Sequence, residues 1–308
     1  MRSSTRSIRA ISLRRALQAR AADWNQNEAD WRYMLANGRA WGFSQEDGTL
    51  LASTVVLPYG ETTGEGFAWI SMVLVLPEHR RRGFASRLLR RAIAHLTQCK
   101  LTLILDATPA GRAVYVREGF HDTWGFTRYR RGARHSPATK SPLPTRPVPS
   151  PAQHRQHQES AVRPIAEIRA IARGDWPALL TLDTPAFGAK REHLLRALAE
   201  RLPQAALRAE TEGRITGYVL GRDGREACQL GPLIAPDIDT ARRLFDAAVA
   251  QLPGPLYIDV ADRFSALQPR LDAAGFEAQR PFTRMVRGGK AAPGDAATVI
   301  AVAGPELG

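Results

Sequence analysis

At 308 residues, 44% hydrophobic and 24% charged, the chain is soluble in composition and long for a single hydrophobic core, so two domains are expected. No apolar run reaches membrane-span length. The two cysteines, Cys99 and Cys228, stand far apart, which argues against a disulfide framework or a zinc site and suits a reducing cytoplasm. The net charge of +13 is uneven: residues 1–131 hold 20 Lys/Arg against 11 Asp/Glu, residues 132–163 hold 5 against 1, and residues 164–308 hold 18 against 18.

In chain order, Met1–Arg20 is Arg- and Ser-rich like a transit peptide, but it runs straight into a predicted strand, Ile8–Ile11, and an amphipathic helix, Leu13–Leu35, with a break near Asn25–Asn27. It is therefore read as part of the fold. A strand pair, Arg39–Phe43 and Leu50–Leu57, turns at Glu46-Asp47-Gly48. A long apolar strand, Ala68–Leu76, leads to a helix, Ala85–Leu96, whose apolar residues recur at helical spacing. A strand at Leu101–Leu105, a helix at Gly111–Arg117 and a strand at Gly125–Tyr129 complete the first half.

Residues 132–163 are rich in Pro, Ser and basic residues without an apolar period, and read as a flexible linker. The same order of elements then returns. A strand at Ile165–Ile171 and helices at Trp176–Leu182 and Arg191–Leu202 precede a hairpin of Ala206–Ala209 and Ile215–Leu220. Cys228–Ala235 (strand), Thr240–Leu252 (helix), Leu256–Val260 (strand) and Phe264–Ala274 (helix) follow, with Phe282–Val286 and Thr298–Ala303 closing the chain. Gly119-Phe120 and Gly275-Phe276 stand at matching places. The expected fold is α/β: two related domains, 1–131 and 164–308, each a mixed central sheet flanked by helices, arisen by duplication.

The stretch richest in chemistry runs from Met72 to Leu89. A buried strand ends at Pro77, crosses Arg80, Arg81 and Arg82, and enters a helix near Gly83. A helix start leaves N–H groups unpaired and carries partial positive charge, so it holds an anion such as a pyrophosphate where small residues, here Gly83 and Ala85, let it approach.

This stretch resembles motif A of the GNAT acetyltransferase superfamily, Gln/Arg-x-x-Gly-x-Gly/Ala, with Arg80, Gly83 and Ala85 in the defined positions. Tyr115 to Gly119-Phe120 resembles the family's second marker, Tyr-x-x-x-Gly-Phe. The resemblance implies acetyl-coenzyme A as co-substrate. Its pantetheine arm would lie along Val73, Leu74 and Val75, where this strand and the next splay apart, and its pyrophosphate over Arg80, Arg81, Arg82, Gly83, Phe84, Ala85 and Ser86. Tyr115 falls where the family often places the acid that protonates the departing thiolate; the competing expectation is a tyrosine that only packs the splay. One departure is Thr108, seven residues before Tyr115, where an asparagine is frequent. Asp106-Ala107-Thr108-Pro109-Ala110-Gly111, Trp24-Asn25-Gln26, Gly231-Pro232-Leu233-Ile234-Ala235 and Ala303-Gly304-Pro305-Glu306-Leu307-Gly308 resemble a tandem-domain subgroup.

The second half lacks these parts. Aligned on Pro77 and Pro236, its loop is three residues shorter and has no glycine; Asp237 and Asp239 begin the helix, Asp239 as the expected N-cap, and Leu271 replaces Tyr115. It is expected to bind no coenzyme and to serve as acceptor-side wall or structural partner, with Asp259, Asp262 and Arg263 as its candidates for a shared cleft. The expected reaction is acetylation of a primary amine, most simply of a small molecule, by a cytoplasmic, metal-free monomer whose halves form an internal pseudo-dimer. The alternatives are a non-catalytic acetyl-coenzyme A sensor and a nucleic-acid-binding protein; the latter is disfavoured because no aromatic residues interleave the basic run. Glu61, Glu65, Glu78 and His79 lie near the motif, but the sequence names no general base, nor whether Trp24 and Trp31 line the acceptor site.

Overall fold

The computed structural model describes residues 5–7, 25–60, 66–133 and 165–308. The expected strand Ile8–Ile11, the first part of the helix Leu13–Leu35, Trp24, Glu61, Glu65 and nearly all of the linker lie outside them. The first half comprises β1 (Thr5–Ser7), α1 (Glu28–Asn37), β2 (Arg39–Ser44), β3 (Leu50–Tyr59), β4 (Phe67–Val75), α2 (Phe84–Gln98), β5 (Thr102–Ala107), α3 (Pro109–Arg117) and β6 (His121–Arg131). The second comprises β7 (Glu167–Ala170), α4 (Trp176–Phe187), α5 (Glu192–Arg201), β8 (Leu207–Thr211), β9 (Arg214–Arg222), β10 (Cys228–Ile234), α6 (Ile238–Gln251), β11 (Leu256–Ala261), α7 (Gln268–Ala273), β12 (Phe276–Arg287) and β13 (Val299–Ala301).

Local chemistry accounts for the element ends. Asn27 caps α1 in a reciprocal box with Asp30, and Thr108 caps α3 ahead of Pro109. Leu88, Leu89, Ala92, Ile93 and Leu96 line one face of α2 and are buried under β3 and β4. The break expected near Asn25–Asn27 is the start of α1. Phe264–Ala274, expected as one helix, divides into a 3₁₀ segment, Asp262–Leu267, and α7.

The two central sheets are joined into one of 13 strands, ordered β1-β2-β3-β4-β5-β12-β6-β11-β13-β10-β9-β8-β7. The halves exchange their sixth strands. β12, from the second half, pairs with β5 through Thr283–Ala107 to Arg287–Leu103, and β6, from the first, pairs with β11 through Phe126–Ala261 to Arg131–Leu256. β6 and β12 pair with each other at the centre, where Phe126 stacks on Phe282 with ring centroids 5.1 Å apart. Two buried ion pairs cross the same seam. Arg128 grips Asp259 through two 2.8 Å bonds, and Arg284 grips Asp106 at 2.9 and 3.0 Å. Arg284 also lies between the rings of Trp69 and Trp124, at 4.4 and 4.2 Å. Removing one partner of such a pair strands a buried charge, so these contacts fix one register for the junction.

A second contact between the halves surrounds the subgroup-like Asn25-Gln26. Asn25 donates to the Ala227 carbonyl at 2.9 Å and accepts from the N–H groups of Glu226 and Ala227. Asp30 is paired with both Arg201 and Arg222. Trp31 is buried in the core with Met34 and packs rather than lining a site.

Candidate active site

β4 and β5 begin as a parallel pair, Phe67–Thr102 to Trp69–Ile104, and pairing then stops although β4 continues to Val75 and β5 to Ala107. The strands splay, and Ile70 to Val75 face a gap on the β5 side. A bulge bends β4 at the same place: two residues, Met72 and Val73, stand opposite Thr54 alone, with Met72 at φ 52°. The Ser53 hydroxyl donates to the Met72 carbonyl at 3.0 Å, and that of Thr54 to the Ser71 carbonyl at 3.5 Å, holding the bulge from the β3 side. Val73, Leu74 and Val75 are half-buried along the open stretch.

Beyond β4 the chain makes a short turn, Pro77–His79, and reaches α2 through three exposed arginines. Arg80 donates back to the Val75 carbonyl at 3.4 Å, Arg81 takes φ 60°, and Arg82 bonds His79. Gly83 is the N-cap at φ 77°, without a side-chain cap and without an acid in the first turn. The first helical bond runs from the Arg87 N–H to the Gly83 carbonyl at 3.1 Å, so the N–H groups of Phe84, Ala85 and Ser86 have no intrahelical acceptor. Phe84 itself is buried against Phe43; Ala85 and Ser86 are half-buried. An open strand edge leading to an uncapped, basic helix start can hold an extended chain ending in a diphosphate.

The splay opens into a cavity of about 130 Å³ lined by Ser71, Met72, Asp106, Thr108, Tyr115 and Glu306, with further walls from Ile70, Val73, Gly111, Phe282 and Pro305. Tyr115 packs edge-on to Phe120, 6.2 Å between centroids, and burial pushes its hydroxyl up to about 12. It is therefore a protonated donor throughout the neutral range.

Several expected residues lie elsewhere. Asp259 is fully buried in its pair with Arg128 and also receives Gln229 at 3.2 Å; Asp262 accepts from Thr127 at 2.8 Å; Arg263 stacks on Trp124 at 5.3 Å. None of the three lines the cavity. Glu78 and His79 sit on the surface turn. The second half contributes Phe282, Pro305 and Glu306 instead. Sequence reasoning missed them because the strand exchange that delivers Phe282 and the fold-back that delivers Glu306 are non-local; the only trace was the singling out of Ala303–Gly308.

The counterpart of the gap in the second half is occupied. β10 carries the same bulge, with Gly231 and Pro232 opposite Leu220, and pairs in parallel with β11 as far as Leu230–Ile258. There β13 enters between them, Ala301 meeting both Leu233 and Val260. The start of α6 is also closed. Asp237, not the expected Asp239, is its N-cap and accepts from the Thr240 N–H at 2.8 Å, while Asp239 pairs with Arg242 on the surface. The boundary differs because the helix begins two residues earlier than its apolar period indicates. Leu271, at the place of Tyr115, is buried in the second core.

Among the described residues no helix is long and apolar enough to cross a membrane, and no group of three or more His, Cys, Asp or Glu could hold a metal ion. Comparison with known proteins agrees with this geometry. Residues 6–120 match the acetyltransferase (GNAT) family and residues 179–301 an acetyltransferase (GNAT) domain. The uncharacterized N-acetyltransferase YitH of Bacillus subtilis (strain 168) is 25% identical over 258 residues, 83% of this chain and 80% of that protein. A candidate acetyltransferase from Pyrococcus horikoshii superposes with a TM-score of 0.72 at 17% identity, over 99% of this chain and 96% of that one. A tandem GNAT protein from the clavulanic acid biosynthesis pathway does so with 0.60 at 15%, over 94% and 100%. With a splayed, bulged and open first half and a second half of the same plan, the chain belongs to the GNAT family as a tandem-domain N-acetyltransferase.

Proposed function

We propose that the chain moves the acetyl group of acetyl-coenzyme A to the primary amine of a small molecule by direct attack of the amine on the thioester. The observation that carries this reading is the contrast between the two gaps: that between β4 and β5 is open beside an uncapped, basic helix start, whereas that between β10 and β11 is filled by β13. Pantetheine lies along Val73, Leu74 and Val75, and the diphosphate over Arg80 to Ser86. A β4 backbone N–H polarises the thioester carbonyl, as an oxyanion donor does. Tyr115 gives its proton to the departing thiolate. An alkyl ammonium, with a pKa of about 10.4, arrives protonated and must lose a proton before it attacks.

The test is free-thiol release from acetyl-coenzyme A in the presence of alkylamines, amino acids, polyamines, aminoglycosides and peptides. At least one small amine should accelerate release well above the amine-free rate. Release that no amine stimulates would reject the acceptor class.

A further inference from the structure

β13 fills the second half's gap, and the chain beyond it enters the first half's cavity. Val302 donates to the Asp259 carbonyl at 3.0 Å, and residues 303–308 then form a buried turn in which the N–H groups of Leu307 and Gly308 both return to the Gly304 carbonyl at 3.0 Å. Both halves anchor this turn. Trp69 Nε1 donates to the Pro305 carbonyl at 3.1 Å and the Tyr59 hydroxyl to that of Leu307 at 2.9 Å, both from the first half. Arg222 donates to the Ala303 carbonyl at 2.8 Å from the second. Gly304 takes φ 138°, and a Cβ there would come within 3.1 Å of Glu306 Oε2, so the turn accommodates a carboxylate curled over it.

Glu306 is 1% exposed and lines the cavity beside Ser71, Asp106 and Tyr115. Its Oε1 is ion-paired with Arg222 Nη2, whereas its Oε2 is buried without a hydrogen-bond partner. Ser71 Oγ, in the same wall, is also buried and unpartnered. Buried polar atoms are normally satisfied, and a carboxylate oxygen left bare is costly, so two such atoms on one cavity signal a missing donor. The sign of charge identifies it. Among the described residues, the cavity lining holds two carboxylates, Asp106 and Glu306, and no cationic side chain, in a chain of net charge +13. Both oxygens of Asp106 are taken by Arg284, so Glu306 Oε2 is the open acceptor.

We infer that Glu306 Oε2, with Ser71 Oγ, is the subsite for the acceptor's ammonium, and that Glu306 takes its first proton. This rests on the acetyl-transfer reading above. Of the remaining walls, Thr108 is engaged as the α3 cap, accepting from the Gly111 N–H, and Ile70, Met72, Val73, Phe282 and Pro305 are apolar, so the acceptor class is an aliphatic primary amine with hydrocarbon next to its nitrogen. One N–H proton passes to Glu306, leaving a neutral amine whose lone pair forms the C–N bond. Collapse of the tetrahedral adduct breaks the C–S bond. Tyr115 protonates the thiolate, and the nitrogen's second proton replaces the one Tyr115 gave; the proton on Glu306 leaves to solvent.

The experiment compares wild type, Glu306→Gln and Ser71→Ala with n-butylamine as acceptor, measuring steady-state amine kinetics and the coenzyme Kd of each. Glu306→Gln should lower kcat/KM for the amine by roughly 100-fold or more, the usual worth of a proton acceptor, with coenzyme Kd unchanged. Ser71→Ala should raise the amine KM about 5-fold, the loss of one hydrogen bond, with kcat little altered. A Glu306→Gln variant within threefold of wild type in kcat/KM overturns the inference. Should that variant not fold, an unchanged amine KM in Ser71→Ala overturns it instead. Wild type that binds no acetyl-coenzyme A would refute the reading of the reaction, a separate result.

Discussion

Gly83 stands at φ 77°, and among the described residues no atom beyond its chain neighbours lies within 4 Å of where its Cβ would be; the backbone angle, rather than crowding, selects glycine. Gly83→Asp adds strain and places a carboxylate beside the free N–H groups of α2, so coenzyme binding should weaken by at least ~2 kcal/mol, like charge facing like charge. An unchanged Kd would move the diphosphate elsewhere. For Tyr115→Phe the expected loss is about 100-fold in kcat with little change in coenzyme Kd, the low end for general acid catalysis because a thiolate is already a fair leaving group. Burial raises the hydroxyl to about 12, so it stays protonated as pH rises through the ordinary tyrosine value of 10. The kcat profiles of wild type and Tyr115→Phe should therefore run parallel from pH 7 to 10. A wild-type basic limb in that interval, absent from the variant, would show Tyr115 ionising and contradict its assignment as donor. Of the candidate residues, those on the glycine loop and Tyr115 were legible because their chemistry is local: a glycine, an arginine run and a tyrosine at fixed spacing. Glu306 was not, since a lone glutamate gains meaning only from the cavity it reaches.

Elements in the two halves correspond closely, and the difference that matters is a three-residue strand. The β10 bulge matches that of β4 when Pro236 is aligned with Pro77, so the second half could have splayed in the same way. β13 occupies that place, and the chain leaving it at Val302 packs so tightly that a Cβ on Gly231 would overlap the Val302 carbonyl oxygen. Gly231→Ala should accordingly destabilise the chain by roughly 2 kcal/mol or more, through an overlap that only backbone movement relieves. Urea unfolding reads this as a lowered midpoint at unchanged slope; a midpoint equal to wild type would mean that β13 is not wedged there. Thr298–Ala303 was legible as a strand from its apolar run, but nothing in a short strand states its partner. The same limit hid the splay, which depends on where pairing between β4 and β5 ends.

Across the whole molecule the exchange of β6 and β12 makes each half incomplete without the other. Phe126, Phe282 and Met285 are buried in the shared seam, and the Arg128–Asp259 and Arg284–Asp106 pairs would be left half-made by separation. A chain cut at an engineered protease site between Lys140 and Arg155 should therefore elute as one species of unchanged size and keep its activity, and two separable fragments would contradict the seam. We propose that this internal pairing through β6 and β12 takes the place of pairing between chains, so light scattering should give the mass of one chain. The duplication was legible from the repeated order of elements, but the exchange was not: β6 and β12 occupy equivalent places, and sequence order alone assigns each to its own half. What the open and filled gaps most directly imply is a stoichiometry. Titration calorimetry of the intact chain with acetyl-coenzyme A should return one site per chain, and two sites per chain would contradict the account.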